Sequence, residues 1–168
     1  MTGAIVGDFA KWLGSTSLSH EIQTAGWIIP GLQTIHILGI AILFFSAVIV
    51  DLRLWGVLQS DARLGDIARR FLPVIWPTLL VLLITGSFLI IGEPRRSLLN
   101  TTFYLKMMLL VFALVVTAVL QWSLWVAPDF WETGRGRRIA ARFAATLSIV
   151  LWCCIIFAGR WIAYTQVG

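Results

Sequence analysis

The sequence predicts an all-α integral membrane four-helix bundle with a short N-terminal interfacial helix, and three observations carry that expectation. Four apolar stretches, at about 27–51, 71–91, 103–126 and 140–163, are each long enough to cross a bilayer, because a hydrocarbon core of roughly 30 Å needs about 20 apolar residues at a helical rise of 1.5 Å. Hydrophobic residues make up 59% of the 168-residue chain and charged ones 12%, with a mean hydropathy of +0.89, which leaves too little charge to clothe a soluble surface. The net charge of +5 sits in short loops between the stretches rather than along an aromatic-interleaved face, so it reads as a topology signal and not as a nucleic-acid footprint. Lipid then imposes helices, since no backbone N–H or C=O can stay unpaired there. The chain reads as a single transmembrane domain over 1–168.

The elements follow in order. Ile5, Val6, Phe9, Trp12 and Leu13 recur at helical spacing with Asp8 and Lys11 elsewhere on the wheel, which predicts a helix lying in the membrane interface. Gly14-Ser15-Thr16-Ser17 should end it, and a short turn over 18–25 leads to Pro30-Gly31, which can offset the start of the first span. No basic n-region precedes a long apolar core at the start, so Met1–Leu18 is expected to stay attached. The 60–70 segment reads as an amphipathic linker, and Pro73 and Pro77 are placed in the first turns of span two, where proline is cheapest. Asn100-Thr101-Thr102 offers cap oxygens to span three.

Orientation follows from arginine. Arg53, Arg63, Arg69 and Arg70 lie between spans one and two, and Arg135, Arg137, Arg138 and Arg142 between three and four, against Arg95 and Arg96 in the middle loop and Lys11 in the N-terminal tail. The positive-inside rule makes the arginine-rich loops cytoplasmic and both termini periplasmic, in a multi-pass protein of the bacterial inner membrane. Aromatics agree, with Trp27, Tyr104, Trp161 and Tyr164 at one interface and Trp55, Trp76, Trp122 and Trp125 at the other, Trp152 alone lying mid-span. Adjacent Cys153 and Cys154 point about 100° apart on a helix and cannot form an ordinary disulfide with each other.

Each span carries a sparse polar stripe: Gln33, His36 and Asp51 on the first; Thr78, Thr85 and Gly92 on the second; Lys106, Ala113, Thr117 and Gln121 on the third; Thr146, Cys153, Arg160 and Tyr164 on the fourth. Small and hydroxyl members of such stripes ordinarily form helix-packing seams. Ionisable members are costly in lipid and mark interiors. His36, Lys106 and Arg160 all fall in the outer half, which suggests a cavity toward the outer leaflet lined by them with Gln33 and Tyr164. A quinone could take His36 as a hydrogen-bonding partner and the cations as counter-charges. Haem b could use His36 as axial ligand and the cations for its propionates, with Met107 or Met108 as an unusual second ligand. Copper could draw on His36, Met107, Met108 and Cys153, without any fixed ligand spacing behind it. Asp51 and Arg53 read as a structural latch, Asp51 capping or pairing with Arg69, Arg70 or Arg142. Hydrolytic and phosphate-loop motifs are absent, so no independent catalytic activity is expected.

At Asp51-Leu52-Arg53-Leu54-Trp55-Gly56 the chain resembles a bacterial family of small, uncharacterised four-helix membrane proteins with a histidine in the first span and a DLRLxG sequence after it. The resemblance extends through Trp27-Ile28-Ile29-Pro30, Thr34-Ile35-His36, Phe103-Tyr104-Leu105-Lys106 and Gly159–Tyr164. It implies the four-span topology and importance for His36, Asp51, Arg53, Lys106 and Arg160, and brings no activity. Gln33 and Gln121 stand where many such proteins carry a carboxylate and a histidine, a departure that favours an accessory or altered-ligand role. A looser similarity to copper-resistance membrane proteins of the D type rests on helix count and a membrane histidine. Two readings result: a membrane protein binding a redox-type ligand, quinone or haem b, from the outer-leaflet side, or a non-catalytic accessory subunit partnered with a larger membrane or periplasmic complex.

Overall fold

The computed structural model describes residues 2–58, 64–131, 134–162 and 164. Seven α-helices follow one another among these residues: α1 Thr2–Gly14, α2 Ser17–Thr24, α3 Ile28–Trp55, α4 Leu64–Gly92, α5 Pro94–Leu98, α6 Thr101–Val126 and α7 Arg135–Trp161, with a 3-10 turn at Pro128–Trp131 before α7. No strand occurs among them. Helices α3, α4, α6 and α7 are long and apolar enough to cross a membrane. The expected all-α membrane bundle is what the chain forms.

The four long helices stand in a ring. α3 packs against α4 and α7, α6 packs against α7, and the α4–α6 seam is the thinnest of the four. The core is apolar, with Leu43, Ile75 and Leu124 at most 1% exposed. Trp152, mid-span in α7, belongs to this core rather than to an interfacial belt. Close approach comes from small residues: Gly39 on α3 leaves a Cβ position only 2.9 Å from Leu82 Cδ2 on α4, and Ala141, Ala145 and Ser148 are buried on α7.

Two sequence expectations change. α4 begins at Leu64, well before the apolar stretch, so Pro73 and Pro77 lie inside the helix instead of in its first turns. Each removes one N–H from the ladder, and the carbonyls of Arg69 and Pro73 lose their usual partners. On α7 the stripe of Thr146, Cys153 and Arg160 faces outward and is exposed, while Ala141, Ala145, Ser148, Trp152, Ile155 and Ala158 turn inward. The reason is steric: a helix seated against two neighbours presents its small face to them, and its polar side chains find partners at the surface. Thr146 Oγ1 donates to the Arg142 carbonyl at 2.8 Å, and Arg160 Nη2 to Tyr164 Oη at 3.3 Å.

The N-terminal pair of short helices closes one end of the bundle. Ser19, fully buried, donates from Oγ to the Ile91 carbonyl at 2.7 Å, and Gln23 Nε2 donates to the Gly92 carbonyl at 2.8 Å. These are last-turn carbonyls of α4, which have no partner within their own helix. Ile22 Cγ2 would stand 2.9 Å from a Cβ on Gly92, so the glycine permits this seat. At α6, Asn100 Oδ1 accepts from the Thr102 N–H at 2.9 Å, the cap its sequence predicts.

Candidate functional site

His36 lies eight residues into α3, about 12 Å from its start at helical rise. It points at α4, where its Nδ1 stands 2.7 Å from Thr85 Oγ1. Thr85 has a single hydroxyl hydrogen and gives it to the Val81 carbonyl at 2.8 Å. The hydroxyl therefore accepts from His36, which places the ring proton on Nδ1 and leaves Nε2 of the neutral ring with a free lone pair. Gly86 makes room for the ring, whose Cε1 is 3.5 Å from the point where a Cβ would stand.

Lys106 enters the same layer from α6. Its chain crosses the face of Gly159 on α7, with Nζ 3.3 Å and Cε 3.5 Å from that glycine's missing Cβ. It is half-buried and is the cation whose charge acts on His36. Among the described residues no carboxylate forms an ion pair with it; the ion pairs there are Asp8 with Lys11 and Glu93 with Arg96. Arg160 follows Gly159 but is exposed, its guanidinium over the Tyr164 ring at 5.5 Å. Gln33, one turn from His36, is also exposed. The structure thus brings His36 and Lys106 toward one layer and sets Arg160, Tyr164 and Gln33 at its rim.

The other proposed ligands separate. Met108 is 72% exposed and Cys153 is exposed on the outward face of α7, so neither joins His36, while Met107 is half-buried on α6. No group of three or more His, Cys, Asp or Glu residues placed to hold a metal ion occurs among the described residues.

Asp51 departs from the expected arginine latch. It is 2% exposed, shares the lining of a small void with Ser148, and leaves Oδ2 buried without a partner. That void, of about 10 Å³, has Thr117 on α6 and Ser148 on α7 in its lining, and is at the lower limit for one water. A second cavity, of about 280 Å³, opens at the arginine-rich end of the bundle. Neither cavity is lined by His36, Lys106 or Arg160.

Thr85, Gly86, Gly159 and Ser148 lie beside these groups; sequence reasoning read Thr85 as a seam residue, took Gly159 only as part of a resemblance, and passed over Gly86 and Ser148. A glycine in an apolar span opposite an ionisable side chain was the available signal. Neither the curated proteins nor the solved structures give a match to the chain. One family model, described as Family of unknown function (DUF6644), matches residues 9–165, nearly the whole of this membrane helical chain, and the protein belongs to that family.

Proposed function

We propose that this membrane protein binds a quinone-type ligand at the end of the bundle closed by α1 and α2, between His36 and Lys106. The observation that carries this reading is the Thr85 contact at Nδ1, which, with the Thr85 hydroxyl hydrogen given to Val81, leaves Nε2 as the acceptor of a neutral ring. A quinol hydroxyl can donate to Nε2, and a quinone carbonyl can accept from the Lys106 ammonium, a charge-assisted bond strengthened by low dielectric. The thin α4–α6 seam offers a route for an isoprenoid tail from lipid. Haem b would use the same Nε2 as its single imidazole ligand.

Protein extracted in mild detergent should co-purify with an isoprenoid quinone and lack a Soret band. His36→Ala and Lys106→Ala should each reduce the bound quinone at least tenfold without lowering the unfolding temperature. A Soret band lost in His36→Ala would replace quinone by haem, and a featureless spectrum with no extractable quinone would leave the accessory-subunit reading.

We further infer that this end faces the periplasm, on the asymmetry of eight arginines in the two loops at the opposite end against two in the 92–102 connection. The test needs exposed positions. Leu64 is 3% exposed, so a cysteine there would resist labelling from either side. In a Cys153→Ser/Cys154→Ser background, an impermeant thiol reagent applied to intact cells should label Arg95→Cys and spare Asp66→Cys, both exposed positions. The opposite pattern would invert the topology.

A further inference from the structure

The cavity at the arginine-rich end lies between the end of α3 and the start of α7, and three guanidinium groups line it: Arg53 from α3, Arg138 and Arg142 from α7. Trp55 and Trp131 form part of its wall, and no carboxylate lines it among the described residues. Both indoles are fixed, Trp55 Nε1 donating to Thr146 Oγ1 at 2.8 Å and Trp131 Nε1 to Ser123 Oγ at 2.9 Å. Gly56, in the left-handed region at φ +81°, ends α3. Its missing side chain leaves space over the helix end, where Arg142 Nη2 stands 3.9 Å from the would-be Cβ.

Depth says what reaches this cavity. The 28 residues of α3 span about 42 Å, against roughly 30 Å of hydrocarbon. About 12 Å of α3 is left outside the hydrocarbon, and Trp55, Trp131 and the arginines of this end suit the last turn of α3 and the first turns of α7 to the headgroup layer, where Trp side chains ordinarily sit. Beside them on α7, Ile139 and Phe143 are 64% and 71% exposed, an apolar surface suited to lipid. A guanidinium has five N–H donors in a fork matched to phosphate oxygens, so one already engaged still has donors to give.

We propose that this cavity is a binding site for the phosphate headgroup of an anionic phospholipid from the adjoining leaflet, held by Arg53, Arg138 and Arg142 between the two indoles. A cavity of about 280 Å³ suits a headgroup whose tails stay in the bilayer, and basic pockets between membrane helices are recognised lipid-headgroup sites. The inference is independent of the quinone reading, since it uses the opposite end of the bundle.

The test compares nanodiscs of phosphatidylcholine alone with nanodiscs containing phosphatidylglycerol, and adds inorganic phosphate to the former. The expected result is a rise in unfolding temperature with phosphatidylglycerol, and at least tenfold more phosphatidylglycerol than phosphatidylcholine retained in native mass spectrometry. Arg142→Gln and Arg142→Lys should both lose most of that preference, because lysine keeps the charge but not the fork. Arg95→Gln at the other end should keep it. Retention unchanged in Arg142→Lys would mean diffuse attraction and overturn the site. Stabilisation by inorganic phosphate equal to that by phosphatidylglycerol, with no lipid retained, would overturn the lipid as occupant and leave a free-phosphate site.

Discussion

Ala145→Leu should destabilise the detergent-solubilised protein by about 1–3 kcal/mol, the usual range for overpacking a filled core. Ala145 is fully buried on the face of α7 shared with Ala141 and Ser148, and α7 packs against both α3 and α6. Between membrane helices there is little hydrophobic drive, because lipid is as apolar as leucine, so association rests on close packing and interhelical hydrogen bonds. A leucine here adds three heavy atoms with no compensating gain from burial. Ala140→Leu is the control, being exposed five residues earlier on the same helix, and should change the unfolding temperature little. Equal effects from both would mean that the small-residue face is not the seam.

Asp51→Leu should act in the opposite direction and stabilise the protein by about 1–3 kcal/mol, the desolvation penalty of one unsatisfied buried polar group. The carboxylate is 2% exposed, its Oδ2 has no hydrogen-bond partner, and no cation pairs with it in the ion pairs of the described residues. The neighbouring Ser148 hydroxyl is neutral and can turn to a backbone carbonyl when the acid is gone. The adjacent void of about 10 Å³ gives the leucine branch some room. Asp51→Asn, which keeps a polar group in the same place, should move stability far less. Chemical or thermal unfolding of the three proteins measures this directly. A destabilised Asp51→Leu would establish Asp51 as an anchor acting through a bridging water. A stabilised one would mean that the chain retains an intramembrane carboxylate for something other than stability.

The architecture was legible because lipid reduces the choice of backbone to helices, so length and hydropathy alone carry the spans. The Asn100 cap was equally legible, since it depends on residues two apart. What escaped was the rotation of α7 about its axis. Alignment of Thr146, Cys153 and Arg160 on α7 is correct as arithmetic, yet the stripe turns outward because Ala141, Ala145 and Ser148 offer the closer approach. A polar stripe and a small-residue stripe compete for the interior of α7, and with Thr146 and Arg160 partnered at the surface the small one wins. His36 was found as an ionisable residue in a span, but its bond to Thr85 joins residues 49 apart, beyond any local pattern. The internal prolines of α4 were misplaced because its first turns, Leu64–Arg70, are amphipathic and carry no continuous apolar run.

The seat of the N-terminal helices also sets an order in time. Ser19 bonds to a carbonyl 72 residues further along the chain and Gln23 to one 69 residues along, both at the far end of α4. At a synthesis rate of about 5–20 residues per second, Ile91 appears on the order of 4–14 s after Ser19. During that interval neither of these two bonds can form, and the whole of α3 and α4 must be made before the carbonyls of Ile91 and Gly92 are presented. The beginning of this chain is therefore among the later parts to reach its final place.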